Sequence, residues 1–91
     1  MRNRITIDAP RHEVRVNGKE VYLRPSEFEI LNILVAQNGK YLSRLDIIYK
    51  LGKTDEDIDA HTVTQHICRM RKKLPRGAIR TVPEYGYRFI G

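Results

Sequence analysis

The 91-residue chain is 41% hydrophobic and 31% charged, the balance of one small globular domain rather than of a disordered or fibrous chain. No apolar run approaches the ~20 residues that a membrane span requires, and the basic N-terminus lacks the apolar segment of a secretion signal. One cysteine excludes an intrachain disulfide and is typical of a reducing compartment. We therefore predict a cytoplasmic protein with a single domain over residues 1–91.

The positive charge is confined to the last third of the chain. Residues 1–59 contain equal numbers of basic and acidic side chains. Residues 60–91 contain seven basic side chains against Glu84, and they carry the whole formal excess of +6. A basic surface concentrated in one third of a small domain predicts a polyanionic partner such as nucleic acid.

Residues 1–23 alternate as the strands of a small antiparallel sheet do. Apolar side chains recur at every second position in residues 5–7 and 14–16, which predicts two strands with one buried face. Asn17-Gly18 follows the second run, and both residues tolerate the positive φ that a two-residue hairpin turn needs. Val21 continues the alternation beyond this turn, so we predict a hairpin here.

A three-helix core is predicted over residues 25–74, because Pro25 suits a first helical turn, where its missing N–H is not needed. Apolar residues recur at helical spacing up to Asn38-Gly39, which is typical of a helix end. Ser43, followed by Asp46, resembles a capping box and predicts a short second helix. The predicted apolar stripe of this helix is Leu45, Ile48 and Leu51. Gly52 is predicted to end the helix.

The third predicted helix covers residues 59–74 and ends before Pro75. At about 100° per residue, one narrow apolar stripe predicts the side that faces the core. The stripe consists of Val63, Ile67, Met70 and Leu74. The opposite side carries His61, Thr62, Gln65, Arg69 and Lys72, with His66 and Lys73 at one edge and Arg71 near the core boundary. Because Arg, Gln and Thr can read base edges while Lys and Arg neutralise phosphates, this side predicts a helix that enters a DNA major groove.

A terminal hairpin over residues 78–91 closes the chain. Residues 79–82 and 87–90 are predicted strands on either side of Pro83-Glu84-Tyr85-Gly86. A helix, a short helix and a basic helix followed by a hairpin is the order of a winged helix-turn-helix. We therefore predict an α+β fold with a small N-terminal antiparallel sheet, three helices and a C-terminal β-hairpin wing over residues 79–90.

Three motifs in this order resemble the OmpR/PhoB-type winged helix-turn-helix DNA-binding domain, the effector half of many bacterial response regulators. Residues 23–31 (LRPSEFEIL) are similar to the family's L-T-P-x-E-F-x-L-L entry to helix one. Residues 62–74 (TVTQHICRMRKKL) resemble its T-V-D-V-H-I-x-R-L-R-K-K-L recognition helix, and residues 79–89 (IRTVPEYGYRF) resemble its closing I-x-T-V-x-x-x-G-Y-R-F wing. The resemblance covers essentially the whole chain and implies sequence-specific binding of double-stranded DNA and transcriptional regulation.

The resemblance also implies which residues contact DNA. Those that read bases are Thr62, Gln65 and Arg69. Those near phosphates on the recognition helix are His61, His66, Arg71, Lys72 and Lys73. The wing contributes Thr81 and Tyr87 to the phosphate contacts. It also carries the basic residues Arg80 and Arg88. Tyr87 and Phe89 anchor the wing, and Gly86 permits its tight turn. The family commonly binds direct repeats as head-to-tail pairs and often touches RNA polymerase through the loop between helices two and three, here residues 53–59.

Several positions depart from the family's pattern. Arg24 stands where a capping Thr is usual, which predicts a weaker start for helix one. Thr64 and Gln65 replace a frequent Asp-Val pair, so the preferred DNA sequence is expected to be particular to this chain. Glu84 at the wing tip repels phosphates unless it faces away. The N-terminal sheet is one strand short of the usual four, and without a receiver domain we expect an excised effector domain or a free-standing regulator.

Other classes of site fit these residues less well. His61, His66 and Cys68 are spread widely around the helix and contain no i, i+4 pair suited to shared metal ligation, so we predict no metal and no cofactor. Cys68 lacks a base with an orienting partner, which predicts a partly buried cysteine rather than a thiol enzyme. The remaining alternative is a winged-helix protein–protein adaptor without specific DNA binding, because fold does not determine function.

Overall fold

Three antiparallel strands form the N-terminal sheet in the computed structural model, which describes residues 4–54 and 56–90. They are β1 (Ile5–Asp8), β2 (Glu13–Val16) and β3 (Lys19–Val21), paired in that order. Asn17 and Gly18 form the turn between β2 and β3 with φ of 54° and 83°. The sheet and its Asn-Gly hairpin are therefore confirmed. Residues 1–3, 55 and 91, which the predicted sheet, loop and wing include, lie outside the described residues.

Helix α1 (Pro25–Ala36) begins at the predicted proline. Its N-cap is Arg24, whose guanidinium cannot accept a hydrogen bond, so the helix lacks the usual cap acceptor. Only the reverse half of a capping box forms, in which the Arg24 N–H donates to Glu27 Oε1 at 3.1 Å. The helix ends before Asn38 and Gly39, both with positive φ. The predicted limits of this helix and its weak cap are confirmed.

Helix α2 (Arg44–Lys50) begins with the predicted capping box. Ser43 and Asp46 exchange bonds, with the Asp46 N–H donating to Ser43 Oγ at 3.0 Å and the Ser43 N–H to Asp46 Oδ2 at 3.1 Å. The predicted stripe was wrong at Leu45, which is 41% exposed, whereas Ile47 and Ile48 are fully buried. Leu45 projects about 110° around the helix from the centre of that buried pair, and so reaches solvent.

Helix α3 (Ala60–Arg71) is shorter than the predicted 59–74. Asp59 is its N-cap, and its side chain accepts from the Thr62 N–H at 2.8 Å. At the other end the N–H groups of Lys72 and Lys73 donate three residues back, at 3.3 and 2.9 Å, so the last turn tightens and leaves α geometry. Pro75 disfavours helical backbone at Leu74, so the helix cannot continue to the predicted residue 74.

Strands β4 (Ile79–Val82) and β5 (Gly86–Phe89) form the predicted C-terminal hairpin. The β5 edge also pairs with Leu42, which precedes α2: the Leu42 N–H donates to Tyr87 O at 2.8 Å and the Tyr87 N–H to Leu42 O at 2.9 Å. This pairing ties the hairpin to the helices. Among residues 4–54 and 56–90, no helix combines the length and apolar character needed to cross a membrane.

One apolar core joins the sheet, the helices and the hairpin. Its members include Val14 from the sheet, Phe28, Leu31 and Leu34 from α1, Ile47 and Ile48 from α2, Val63, Ile67 and Met70 from α3, and Ile79 and Tyr87 from the hairpin. Because α3 buries one narrow stripe in this core, its opposite side is left at the surface beside the hairpin. The predicted winged-helix arrangement is confirmed.

Candidate nucleic-acid interface

The outer face of α3 exposes four of the five side chains that the sequence predicted there, whereas Thr62 is half-buried. Val63, Ile67 and Met70 are fully buried on the inner side. The outer side chains are His61, Gln65, Cys68, Arg69 and Lys72, all exposed. Among the described residues no carboxylate pairs with Arg69 or Lys72, so both positive charges are available to a ligand.

Polar contacts within α3 limit what two of the predicted base-reading residues can offer. The Thr62 hydroxyl donates its proton to Asp59 Oδ1 at 3.0 Å, so it can no longer donate to a base, and its methyl group and oxygen remain for recognition. The hydrogen bonds from the Thr62 backbone N–H and hydroxyl hold the pKa of Asp59 below its usual value. The Gln65 side chain lies 3.3 Å from His61 Nε2, one helical turn away, so these two side chains are oriented together.

His66 lies on the side of α3 that faces α1 and the α2–α3 loop. It is half-buried, and its Nδ1 is shielded from solvent without a hydrogen-bond partner among the described residues. A shallow groove here also includes acidic side chains, among them Glu29, Glu56 and Asp57. His66 therefore lies between the basic outer face and an acidic groove, not within the cluster of cations.

Arg71 joins α3 to the hairpin. Its Nη2 donates to Thr81 Oγ1 at 2.6 Å, and its guanidinium carbon lies 5.5 Å from the centre of the Tyr87 ring. Two residues predicted at phosphates, Arg71 and Thr81, are thus bonded to each other. Tyr87 is buried, as expected of an anchor for the wing. The three residues together hold the hairpin beside α3.

Thr64 and Arg44 complete this joint, a role that was not predicted for either residue. Thr64 Oγ1 donates to Ala60 O at 3.2 Å and lies 3.4 Å from the Tyr87 hydroxyl. Arg44 Nη1 donates to Thr64 Oγ1 at 3.4 Å, which places an exposed guanidinium from the start of α2 beside α3. The charge distribution could not reveal Arg44, because it belongs to the half of the chain in which the charges balance. Its position directly after the Ser43 cap was the available signal.

Lys73 points to the protein interior rather than to the outer face. Its Nζ lies 2.8 Å from Oε1 of Glu27, whose side chain is fully buried. Burial raises the pKa of Glu27, but hydrogen bonds from Lys73 and the Arg24 N–H, together with their charges, outweigh it and hold that pKa below its usual value. Lys73 also lies over the Tyr22 ring at 5.7 Å. Because its charge is used within the protein, we revise its predicted role from phosphate contact to structural partner of Glu27.

The hairpin divides its predicted residues between two faces. Thr81 is opposite Tyr87 on the face towards α3, and Arg80 is opposite Arg88 on the other face. Arg80 is exposed, whereas Arg88 is half-buried and its Nε has no hydrogen-bond partner among the described residues. The two wing arginines therefore do not join the cations of α3.

The wing tip has its positive φ at Glu84. The N–H of the next residue, Tyr85, donates to Val82 O at 3.0 Å, which closes a turn with Pro83 and Glu84 at its centre. Glu84 has φ of 69°, a conformation that favours glycine or asparagine at the third position of such a turn. The tight turn attributed to Gly86 is thus made by Glu84, and Gly86 serves the close approach to Leu42 instead.

Glu84→Gly is expected to raise the free energy of unfolding by about 0.5–1 kcal/mol, because glycine adopts a positive φ without a steric cost. It also removes a negative charge from the wing tip, so affinity for a polyanion should rise. Thermal unfolding and fluorescence anisotropy with duplex DNA measure the two effects. Glu84→Gln is the matched control, since it removes the charge and keeps the strain. Equal unfolding free energies for the two variants would show that the turn is not strained.

Cys68 is exposed on the outer face of α3, so the prediction of a partly buried cysteine was wrong. It projects about 20° from His61, on the side away from Lys72, and so points away from the core stripe. Within residues 4–54 and 56–90, no group of three or more His, Cys, Asp or Glu side chains is arranged to hold a metal ion.

Comparison with known families and proteins identifies relatives over nearly the whole chain. The family described as "Transcriptional regulatory protein, C terminal" matches residues 18–89. The response regulator protein PmrA of Pseudomonas aeruginosa is 32% identical over 83 residues, which are 91% of this chain and 38% of PmrA. The regulatory protein VanRB of Enterococcus faecalis is 38% identical over 85 residues, 93% of this chain and 39% of VanRB. The chain thus spans about two fifths of the length of these relatives.

A solved DNA complex contains a domain of the same fold. The Klebsiella pneumoniae RstA DNA-binding domain, crystallised in complex with the RstA box, superposes with a TM-score of 0.82 and 29% sequence identity. The match covers 98% of this chain and 97% of the RstA domain. The two chains therefore share the complete fold, including the hairpin.

Proposed function

Because the chain belongs to the family of C-terminal domains of transcriptional regulatory proteins, we propose that it binds double-stranded DNA sequence-specifically and regulates transcription. α3 enters the major groove, and the hairpin lies beside it as the wing. One observation carries the proposal: the exposed face of α3 combines hydrogen-bonding side chains with the unpaired charges of Arg69 and Lys72. The RstA domain, which shares the fold, was crystallised in complex with its DNA box, which supports the same mode of binding.

Base recognition is proposed for Gln65, Arg69 and Thr62. Arg69 offers a guanidinium suited to the two acceptors of guanine, and Gln65 offers an amide suited to adenine. Thr62 contributes its methyl group, since its hydroxyl proton is already bonded to Asp59. A thymine methyl is the matching partner for this apolar contact.

Phosphate contacts are proposed for the cations and polar groups around α3. Lys72 and His61 lie on the outer face, and His66 lies on the side towards α1. We add Arg44, whose guanidinium reaches Thr64 from the start of α2. Thr81 and Tyr87 contribute from the wing, and Arg71 positions both of them. Arg80 and Arg88 are proposed to meet DNA only where the backbone passes the outer face of the wing.

Two partners are proposed from the family resemblance. Tandem copies of the domain bind direct repeats head to tail, which would account for repeated half-sites in the bound DNA. The loop over residues 53–59 contacts RNA polymerase. Support for the second partner is the acidic groove that includes Glu56 and Asp57 at this loop, because such a surface suits a basic protein segment.

Arg69→Ala is expected to weaken binding to the preferred sequence by about 1–3 kcal/mol and to relax specificity at one base pair, because a bidentate contact to guanine is lost. The preferred sequence is first selected from random duplexes, and affinity is then measured by fluorescence anisotropy at several salt concentrations. The control Lys72→Ala should weaken all sequences alike and reduce the salt slope by about 1.

An even loss of affinity on every sequence for Arg69→Ala would contradict its role in base recognition. Wild-type protein that binds all duplexes weakly, without a preferred sequence, would contradict the proposed function itself. That result would favour the protein–protein adaptor, whose partner would then be sought by affinity purification.

A further inference from the structure

Arg24 supplies a cation at a place where the recognition surface was not expected to extend. A shallow cleft of about 250 Å³ lies between the start of α1 and the end of α3. We call it the α1–α3 cleft; it is lined by Arg24, Glu27, Arg69, Lys72 and Lys73. Four of these five side chains are basic, and α1 and α3 pack directly against each other here.

The charges of the α1–α3 cleft do not cancel. Glu27 is its one acidic side chain, and the Lys73 ammonium donates a hydrogen bond to Glu27 Oε1 at 2.8 Å. The second oxygen of Glu27 is shielded from solvent and has no hydrogen-bond partner among the described residues. In residues 4–54 and 56–90 no carboxylate lies within ion-pairing distance of the Arg24, Arg69 or Lys72 side chains. Three positive charges therefore remain unpaired around one cleft, an arrangement suited to an anion.

The position of Arg24 determines which part of DNA it can meet. Packed helices have axes roughly 8–10 Å apart, and the major groove is roughly 12 Å wide. When α3 lies in the groove, a side chain from the neighbouring helix is displaced to the groove edge, where the phosphates lie. Arg24 is thus placed for the backbone, while Arg69 on α3 remains placed for the bases.

We propose that Arg24, at the α1–α3 cleft, binds one DNA phosphate next to the phosphate that Lys72 contacts, and that this contact fixes the backbone beside the base read by Arg69. The proposal rests on the proposed function, since it requires α3 in the major groove. It extends the interface to α1, so α1 would contribute affinity in addition to packing on the core. The ligand is a single phosphodiester of the duplex.

Arg24→Ser tests the contact without weakening the fold. Serine can accept a hydrogen bond from the first turn of α1, as Ser43 does in α2, so the variant should unfold at a higher temperature than wild type. Its salt slope, measured as log affinity against log salt concentration on the selected duplex, should be smaller by about 0.9, the value for one phosphate. Arg24→Lys should restore most of the slope.

Lys19→Ser is the matched control, because it removes one exposed positive charge from β3, outside the α1–α3 cleft. Its slope should equal that of wild type. If Arg24→Ser also keeps the wild-type slope, the phosphate contact is refuted while the proposed function stands. If wild type itself fails to bind DNA, the proposed function fails and the contact with it.

Neutral phosphates locate the contact directly. A series of duplexes, each with one methylphosphonate in place of a phosphate, is titrated with wild type and with Arg24→Ser. At one position the neutral group should weaken wild type and leave Arg24→Ser unchanged, because that variant has already lost the interaction. Equal losses for both proteins at every position would overturn the proposal.

Discussion

Gly86→Ala is expected to lower the free energy of unfolding by about 3 kcal/mol, through overpacking and backbone strain together. A Cβ at this position would lie 2.6 Å from Leu42 C, 2.7 Å from Ser43 Cα, and closer still to Leu42 O. All three atoms are backbone, so no side-chain rotation relieves the contact. Gly86 also has φ of 143°, which L side chains rarely adopt.

The two hydrogen bonds between Leu42 and Tyr87 are the reason for this close approach, because they hold the β5 edge against the segment before α2. Relief of the clash would require these bonds to lengthen, and the wing would then leave its place beside α3. Urea unfolding measures the loss of stability, and anisotropy with duplex DNA measures the loss of binding.

Gly77→Ala is the matched control for Gly86→Ala. Gly77 has φ of 85° but no heavy atom within 4 Å of an added Cβ, so alanine there meets backbone strain alone. Its expected cost is about 1 kcal/mol. If Gly86→Ala cost no more than Gly77→Ala, the contact with Leu42 would be too soft to position the wing.

Lys73→Met is expected to cost about 3 kcal/mol at neutral pH, because it leaves the fully buried Glu27 carboxylate without its counter-charge. The loss should depend on pH. In wild type the pKa of Glu27 is lowered, so the ionised carboxylate contributes stability above its ordinary pKa, and this contribution is lost as pH falls. In Lys73→Met the lysine no longer lowers the pKa of Glu27, so that pKa should lie higher than in wild type. The stability difference between the two proteins should therefore shrink on acidification towards about pH 4.

Lys72→Met is the control that distinguishes the role of Lys72 from that of Lys73. Lys72 is exposed and has no carboxylate partner among the described residues, so its loss should change stability by less than about 0.5 kcal/mol and weaken DNA binding. Urea unfolding at pH 7 and pH 4, together with anisotropy, measures both variants. A stability loss for Lys73→Met that is the same at both pH values would show that Glu27 is not the cause.

Local patterns were sufficient for the elements of this fold. Asn17-Gly18 predicted a hairpin turn, and Ser43 with Asp46 predicted a capping box, because the bonds involved connect residues at most three positions apart. The buried and outer sides of α3 followed from helical periodicity. Helical periodicity gave the wrong side of α2 at Leu45. In this short helix the apolar side could be centred on Leu45 and Ile48 or on Ile47 and Ile48, and only the packing of the helix selects the second.

The functional surface was only partly readable in the same way. Arg69, Gln65 and Lys72 were correctly placed on the exposed side, because exposure follows from their place on one helix. Lys73 stands next to Lys72 in the chain and has the same charge, yet its partner Glu27 is 46 residues away. No pattern within α3 distinguishes the two lysines, since the difference lies in what each side chain meets across the fold.

The amino-acid sequence by itself determined the strands, the helices, the basic outer face of α3 and the resemblance to a family, because each of these depends on residue types at short spacing. Only the tertiary structure decided that Arg71 holds the wing, that Arg44 joins α3 and that Gly86 must lack a side chain. Each of these roles depends on a partner 10 to 44 residues away along the chain. The physical reason is that short-range periodicity specifies the direction of a side chain from its own element, whereas its contacts depend on how the elements pack.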